Sequence, residues 1–450
     1  MAKSNPRWVC NECGASSSGW FGKCPSCGAW NSIEQQDETP VDRVVLSTAG
    51  TAPVPADRTD MVVHRLASGV AEVDRVLGGG LVRGSVALFS GAPGIGKSTL
   101  LLQVGAGLAR GGKAVLYASG EESVAQVAGR AQRLGAAHPR LMLMAETRME
   151  AVLDAARELA LAGELEAVVV DSVQTVYSAA AEGLPGNVAQ IRTCAAQLVS
   201  FAKLHEVPVV LVGHVTKDGQ LAGPRVLEHL VDVVLSFEGD DERALRLLRA
   251  SKNRFGSTTE LGVFEMTAEG LREIDNPSEA FLAQRPQRVA GSCITATLEG
   301  SRPLLLEVQA LLAPAHGGAR RNCVGVDPAR LAMLLAVLER HAELPVLDQD
   351  VFVNVAGGMR LHEPAADLAI ALAVASSHLR RPLPSDLVVL GEIGLTGEIR
   401  HAQRVEPRLA EARRLGFRRA LTAPQRERPA LPLELVAVSS IRDAVDATLA

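Results

Sequence analysis

Lysine is scarce in this sequence and runs out early. Only seven of the 46 Lys and Arg side chains are lysine, and the last is Lys252; from Asn253 to Ala450 every basic side chain is Arg or His. A guanidinium does not surrender its proton in a protein, so chemistry that needs a lysine amine as base is excluded beyond that point. Long apolar runs are missing too: none reaches the roughly 18 residues of a membrane-spanning helix. The opening MAKSNPRWVC sets no apolar stretch behind its basic residue, so a secretory signal is not expected. There is no excess of positive charge, the formal net charge being -5, and contact with nucleic acid has to come from local patches. Cysteine is limited to seven residues; four fall between Cys10 and Cys27, while Cys194, Cys293 and Cys323 are scattered. That distribution suits a reducing, cytoplasmic setting with one metal site better than a disulfide framework. Aromatic residues make up 3%, and all three tryptophans, Trp8, Trp20 and Trp30, lie near the start. What remains is an ordinary globular composition, 47% hydrophobic and 22% charged, on a 450-residue chain too long for one core, so two or three domains are expected.

The clustered cysteines Cys10, Cys13, Cys24 and Cys27 form C-x2-C-x10-C-x2-C. Each C-x2-C folds a tight turn that aims two thiolates at one point, and Gly14 and Gly28 relieve the backbone directly after. Four thiolates at this spacing predict a structural Zn2+ site, closed to water and therefore not catalytic. A redox C-x-x-C pair leaves the second knuckle unexplained. Residues 1–34 are too few for a core of their own, so the metal supplies the folding free energy of this ribbon. Trp8, Trp20, Phe21 and Trp30 either build a mini-core around the metal or stay exposed to stack on bases or dock on a partner. Residues 35–60, polar with Pro and Ala and without a period, read as a linker.

From residue 61 to 275 apolar strands alternate with helical patterns, which predicts an α/β domain with a parallel sheet and a ligand at the strands' carboxyl ends. A strand at 86–90 runs into Gly91, Ala92, Pro93, Gly94, Ile95, Gly96, Lys97, Ser98 and Thr99, which fits G-x4-G-K-[ST] and opens a helix at Lys97. In such a P-loop the backbone N–H groups converge on the phosphates of ATP, Lys97 reaches the terminal ones, and Ser98 supplies an oxygen to Mg2+. Residues 114–123 end in Glu121 and Glu122, placed to orient an attacking water, with capping of the next helix as the alternative for Glu122. Residues 166–172 carry Asp171, the expected partner of magnesium. Residues 207–219 carry His214 and, in the loop beyond, Lys217. Helices are expected at 123–134, 150–162 and 188–205.

The stretch SGVAEVDRVLGGGLVRGSVALFSGAPGIGKSTL resembles the opening of RecA-superfamily ATPases of the bacterial RadA (Sms) and circadian-clock KaiC kind. The ribbon in front and the KNRFG of Lys252 to Gly256 narrow the resemblance to the bacterial RadA family, along the entire chain. It implies a RecA-like core, an ATP hydrolase acting in DNA recombination and repair, and a hexameric ring motor. It further implies single-stranded and branched DNA as substrates of branch migration or strand extension, and a recombinase as partner. The resemblance also implies that Lys252 and Arg254 reach phosphates held by a neighbouring subunit. Lysine is a compact point charge and arginine a planar fork, so a lysine kept in an Arg-biased chain suggests a site that needs an ammonium. Lys97 obeys that logic, and Lys217, facing DNA in the ring's channel, is a third case; the alternative for Lys252 is a cation capping a turn. A KaiC-like ATP-dependent protein scaffold is the competing reading, and it leaves the ribbon without a role.

Residues 276–288 read as a polar hinge before a second domain at 289–450, with strands at 289–300 and 303–314 and helices at 328–341 and 364–378. From His362 to Arg400 the sequence resembles the proteolytic domain of the Lon family, Gly391-Glu392-Ile393 and the Leu-Thr-Gly that follows fixing the register. The likeness implies an α+β domain whose Ser and Lys positions hold Ala365 and Arg408. With no lysine after Lys252, a Ser–Lys dyad is excluded and the domain is expected to serve assembly. Between Arg400 and Arg419 seven Arg stand against two Glu, either a solvated face, a surface for DNA phosphate, or a subunit contact.

Overall fold

The computed structural model describes residues 7–10, 16–17, 19–25, 28–36, 64–214, 226–239, 245–283, 285–286, 288–425 and 432–449. It divides into two compact units, Met1–Glu273 and Ile274–Ala450. Most of the stretch read as a linker therefore lies outside the described residues.

At the start, Arg7–Cys10 pairs antiparallel with Ser16–Ser17 on one side and with Ile33–Gln36 on the other. Among the described residues of this ribbon, Cys10, Cys24 and Ile33 form one small buried cluster with Trp8 against it. So little burial falls far short of what holds a domain together, which is why such a ribbon depends on a metal.

The centre of the first unit is a sheet of nine described strands. Six of them run parallel in the order Leu141–Ala145, Ala114–Ser119, Leu165–Asp171, Val209–His214, Val86–Gly91, Val233–Gly239. Segments such as VALFSG, AVLYAS and LEAVVVD are almost unbroken apolar runs because both sheet faces are covered. The period of two sorts their side chains: Ala87, Phe89, Val115 and Val169 join Leu100, Leu101 and Leu108 of helix Lys97–Ala109. Val86, Leu88, Leu116 and Val168 face the helices Met149–Leu161 and Val188–His205 instead. Beyond Val233–Gly239 the sheet continues antiparallel through Leu245–Asn253, Leu261–Thr267 and Gly270–Glu273. The expected parallel sheet is present in these six strands, and three antiparallel strands that were not expected extend it. The connections between these last strands are too short for the crossover that parallel pairing needs.

The second unit holds a mixed sheet of seven described strands in the order Arg321–Val324, Gln349–Val355, Arg302–Pro314, Ser292–Glu299, Leu387–Val389, Arg419–Thr422, Glu434–Ala437. Helix Asp367–Leu379 packs on it so closely that every residue from Asp367 to Ser376 is buried. Where a polar hinge is read, the structure has a helix, Pro277–Leu282, capped by Asn276 and with Ser278 and Phe281 buried. Ser278 Oγ accepts from Leu305 N at 3.1 Å, which ties this helix to strand Arg302–Pro314. No described helix is long and apolar enough to cross a membrane.

Candidate nucleotide-binding and hydrolysis site

Strand Val86–Gly91 is buried throughout and delivers the chain to a loop whose apex, Ala92 to Gly94, is exposed. Helix Lys97–Ala109 starts with no side-chain cap and no acidic residue in its first turn; its N-cap is Gly96, at φ 111°. Gly94 at φ 79° and Gly96 both hold left-handed backbone, and a Cβ at Gly96 would also meet Met266 Cε at 2.6 Å. A helix start left uncapped by side chains, with its dipole, is an anion seat. Lys97 is 4% exposed and donates to Gly91 O and Ala92 O, both at 2.9 Å. Burial pulls its pKa down, while the carboxylates of Asp171 and Glu121 act the other way. Behind the loop, buried Arg246 donates from Nε to Ile95 O at 3.2 Å, a support from strand Leu245–Asn253 that sequence reading missed.

The acidic side of the site comes from the next strand ends, where Ser119 pairs with Asp171. Asp171 is buried and accepts a 2.5 Å hydrogen bond from Tyr117 OH. Burial, followed by the neighbouring carboxylate, pushes the phenol well above its ordinary pKa. The Ser98 side chain lies near the same phenol, so the two residues expected at magnesium share one neighbour. Tyr117 was missed by the sequence reading; one of only two tyrosines, set in an aliphatic strand, was the signal available.

Glu121 and Glu122 diverge. Glu121 is exposed, and its Oε1 accepts from Ser172 Oγ at 2.7 Å, one residue beyond Asp171. Glu122 turns to Arg130 of helix Val124–Arg133 in a short ion pair. The cap of that helix is Ser123, whose side chain accepts from Gln126 N, so Glu122 braces the helix without capping it.

The remaining expected residues lie elsewhere. Lys252 Nζ donates to Glu228 O and Val231 O, both at 2.7 Å, at the end of helix Val226–Leu230. Burial, then Arg254, lowers its pKa, while Asp232 and Glu228 act in the opposite sense. Exposed Arg254 stands 3.4 Å from Asp232, whose carboxylate also accepts from Val86 N at 3.0 Å. Within one chain the turn-capping role is the one Lys252 fills. The side chain of His214, and Lys217, lie outside the described residues. Of the four cysteines, Cys10 and Cys24 are 1% and 2% exposed. Gly28 N donates to Cys24 O and Cys24 N to Ala29 O, the tight turn that a C-x2-C knuckle needs. Cys13 and Cys27 lie outside the described residues, and among those that are described no complete group of metal-ligating side chains is present. Two buried cysteines and the turn closed by Gly28 N on Cys24 O fit a thiolate-bound metal.

In the second unit Ala365 is buried, and Arg408 is buried to 2% exposure. The guanidinium donates to Ala296 O at 2.6 Å and Gln403 O at 3.1 Å and pairs with Glu363 at 2.7 Å. It is a structural cation, two residues along the chain from Ala365 through its partner. Arg408→Ala leaves the Glu363 carboxylate unpaired and is expected to cost about 3 kcal/mol, the low end for a buried pair because Glu363 keeps some solvent. Calorimetry of the full chain should show a transition lowered by several degrees; an unmoved transition would mean the pair holds nothing. Arg400 pairs with Glu398 and Glu392, Arg414 with Glu411, and Arg419 with Asp386, so much of the charge between Arg400 and Arg419 is met internally.

A glycine turn feeding a helix, with Asp171 reaching the same end of the sheet two strands away, makes the first unit a RecA-like P-loop ATPase. Family profiles match in three places: the AAA domain at residues 52–220, the rubredoxin metal binding domain at 8–35, and subunit ChlI of Mg-chelatase at 332–426, the last not anticipated from sequence. Among solved structures, the ATPase domain of G40P is similar at 15% identity over 48% of this chain and 94% of that one, with a TM-score of 0.42, too loose a likeness to argue from. The DNA repair protein RadA of Bacillus subtilis (strain 168) is 48% identical over 94% of this chain and 93% of its own. That of Pseudomonas aeruginosa is 48% identical over 99% of both chains, and that of Halalkalibacterium halodurans 46% over 100% of both. The chain belongs to this family, that of the bacterial DNA repair protein RadA.

Proposed function

We propose that this chain is a DNA-dependent ATPase of recombination and repair, working as a hexameric ring motor on single-stranded and branched DNA beside a recombinase. The observation that carries the motor reading is the place of Lys252. Phe237 lies opposite both Gly91 and Leu248, whereas Val234 lies opposite both Leu88 and Lys252. Lys252 is therefore displaced from its own glycine turn by two strands and about 10 Å along the strands, towards the opposite end of the sheet. A phosphate met by Lys252 and Arg254 is then one held by another subunit. Within the subunit, residues Gly91 to Thr99 hold the phosphates of ATP, Lys97 neutralises the terminal ones, and Glu121 orients the attacking water. Ser98 and Asp171 are the residues that would hold Mg2+, which when bound would offset charge on the phosphate oxygens. Glu122 serves through Arg130 as a brace, and Zn2+ belongs to Cys10, Cys13, Cys24 and Cys27.

The DNA part of the reading is supported by the relatives' printed name and by an ATPase core fit to drive movement along a strand. ATP turnover by the full chain is expected to rise several-fold with single-stranded DNA. Binding should weaken as salt rises, with a log–log slope of about −0.7 per phosphate contacted. Turnover indifferent to any DNA would sink this reading and return the protein-scaffold alternative.

A further inference from the structure

All three tryptophans lie in the cysteine ribbon, and the structure separates them. Trp8 packs against Cys10, Cys24 and Ile33. Trp20 and Trp30 turn outward, 59% and 72% exposed, and Phe21 is 47% exposed. The outward rings are gathered around one turn. Lys23 and Trp30 form an antiparallel bridge, and Asn31 N donates to Gly22 O at 2.8 Å. The Lys23 ammonium stands 5.5 Å from the centre of the Trp30 ring. Between Glu12 and Glu34 the sequence has no acidic residue, although the whole chain is net negative. Large rings left in water on so small a module are not explained by its own folding.

We propose that Trp20, Phe21 and Trp30 form a stacking platform for the unpaired bases of single-stranded DNA, with Lys23 meeting the backbone phosphate beside them. Every base presents a π-face, so stacking on exposed rings holds a strand without reading its sequence, and a cation at the ring complements the phosphate. A protein partner is better matched by a continuous apolar patch. Here Gly22 and Lys23 fall between the rings along the chain, and the cation-π contact of Lys23 with Trp30 brings positive charge to the same place. The inference rests on the reading of the chain as an ATPase that acts on DNA.

The tryptophan distribution makes the test direct, because all indole emission of the full chain comes from this ribbon. Titration of the full chain with oligo(dT) is expected to quench the emission of Trp20 and Trp30, leaving that of Trp8. An abasic strand of equal length should bind more weakly and leave emission unchanged. Trp20→Ala and Trp30→Ala should each weaken oligo(dT) binding about tenfold, and Trp30→Phe should recover most of that loss. Zinc content of each variant checks that the ribbon has folded. Tight oligo(dT) binding with unaltered emission, or an affinity indifferent to both Ala variants, overturns the platform while leaving the DNA-acting ATPase intact. Failure of that broader reading would show separately, as turnover that no DNA alters.

Discussion

Lys252→Ala is expected to bind ATP normally and to hydrolyse it about a thousandfold more slowly, the range of effect of a cation supplied in trans. The ammonium is tied to two carbonyls in its own chain and is displaced from its own phosphate loop. Its loss should therefore spare binding and strike only the charge that develops during transfer. Lys252→Arg is not a conservative control, since a planar fork cannot reproduce three donors on a point charge. The decisive measurement mixes Lys252→Ala chains with Glu121→Gln chains. If the cation acts across a subunit boundary, some boundaries in the mixture join an intact Glu121 to an intact Lys252, and turnover returns in part. A mixture as inactive as either variant alone would end the trans assignment.

The second large effect concerns two adjacent carboxylates. Glu121→Gln should lower turnover by about 10²–10⁴-fold with ATP binding retained, the contribution typical of a positioned base. Glu122→Gln should leave turnover within a few-fold of the parent. The contrast follows from their partners. Glu121 is exposed and bonded to Ser172 beside Asp171, whereas Glu122 is engaged by Arg130 on the neighbouring helix. Single-turnover ATP hydrolysis distinguishes the two variants, and equal losses would show that the pair acts together.

Much of the frame can be read from the sequence where a residue type leaves the backbone little choice. Helix Val188–His205 begins after Asn187, and helix Pro328–His341 after Asp327 with proline in first place; caps of this kind mark a start unambiguously. The P-loop is legible for the same reason, its glycines being demanded by the backbone angles. The antiparallel extension is not, because Arg246 and Arg249 interrupt the apolar run of Leu245–Asn253 and leave no clean period. Helix Pro277–Leu282 hides among polar residues, its buried apolar residues being Pro277 and Phe281. Nor does sequence separate Glu121 from Glu122: identical neighbours are told apart by partners such as Ser172 and Arg130, which the fold brings up from other elements.

Tyr117 holds the Asp171 carboxylate through a phenol whose proton is held more tightly than usual. Such a group stays neutral across the whole physiological range, so it orients the carboxylate without importing a rival cation. The carboxylate is held by an uncharged tether, so a cation bound there would displace a hydrogen bond rather than an ion.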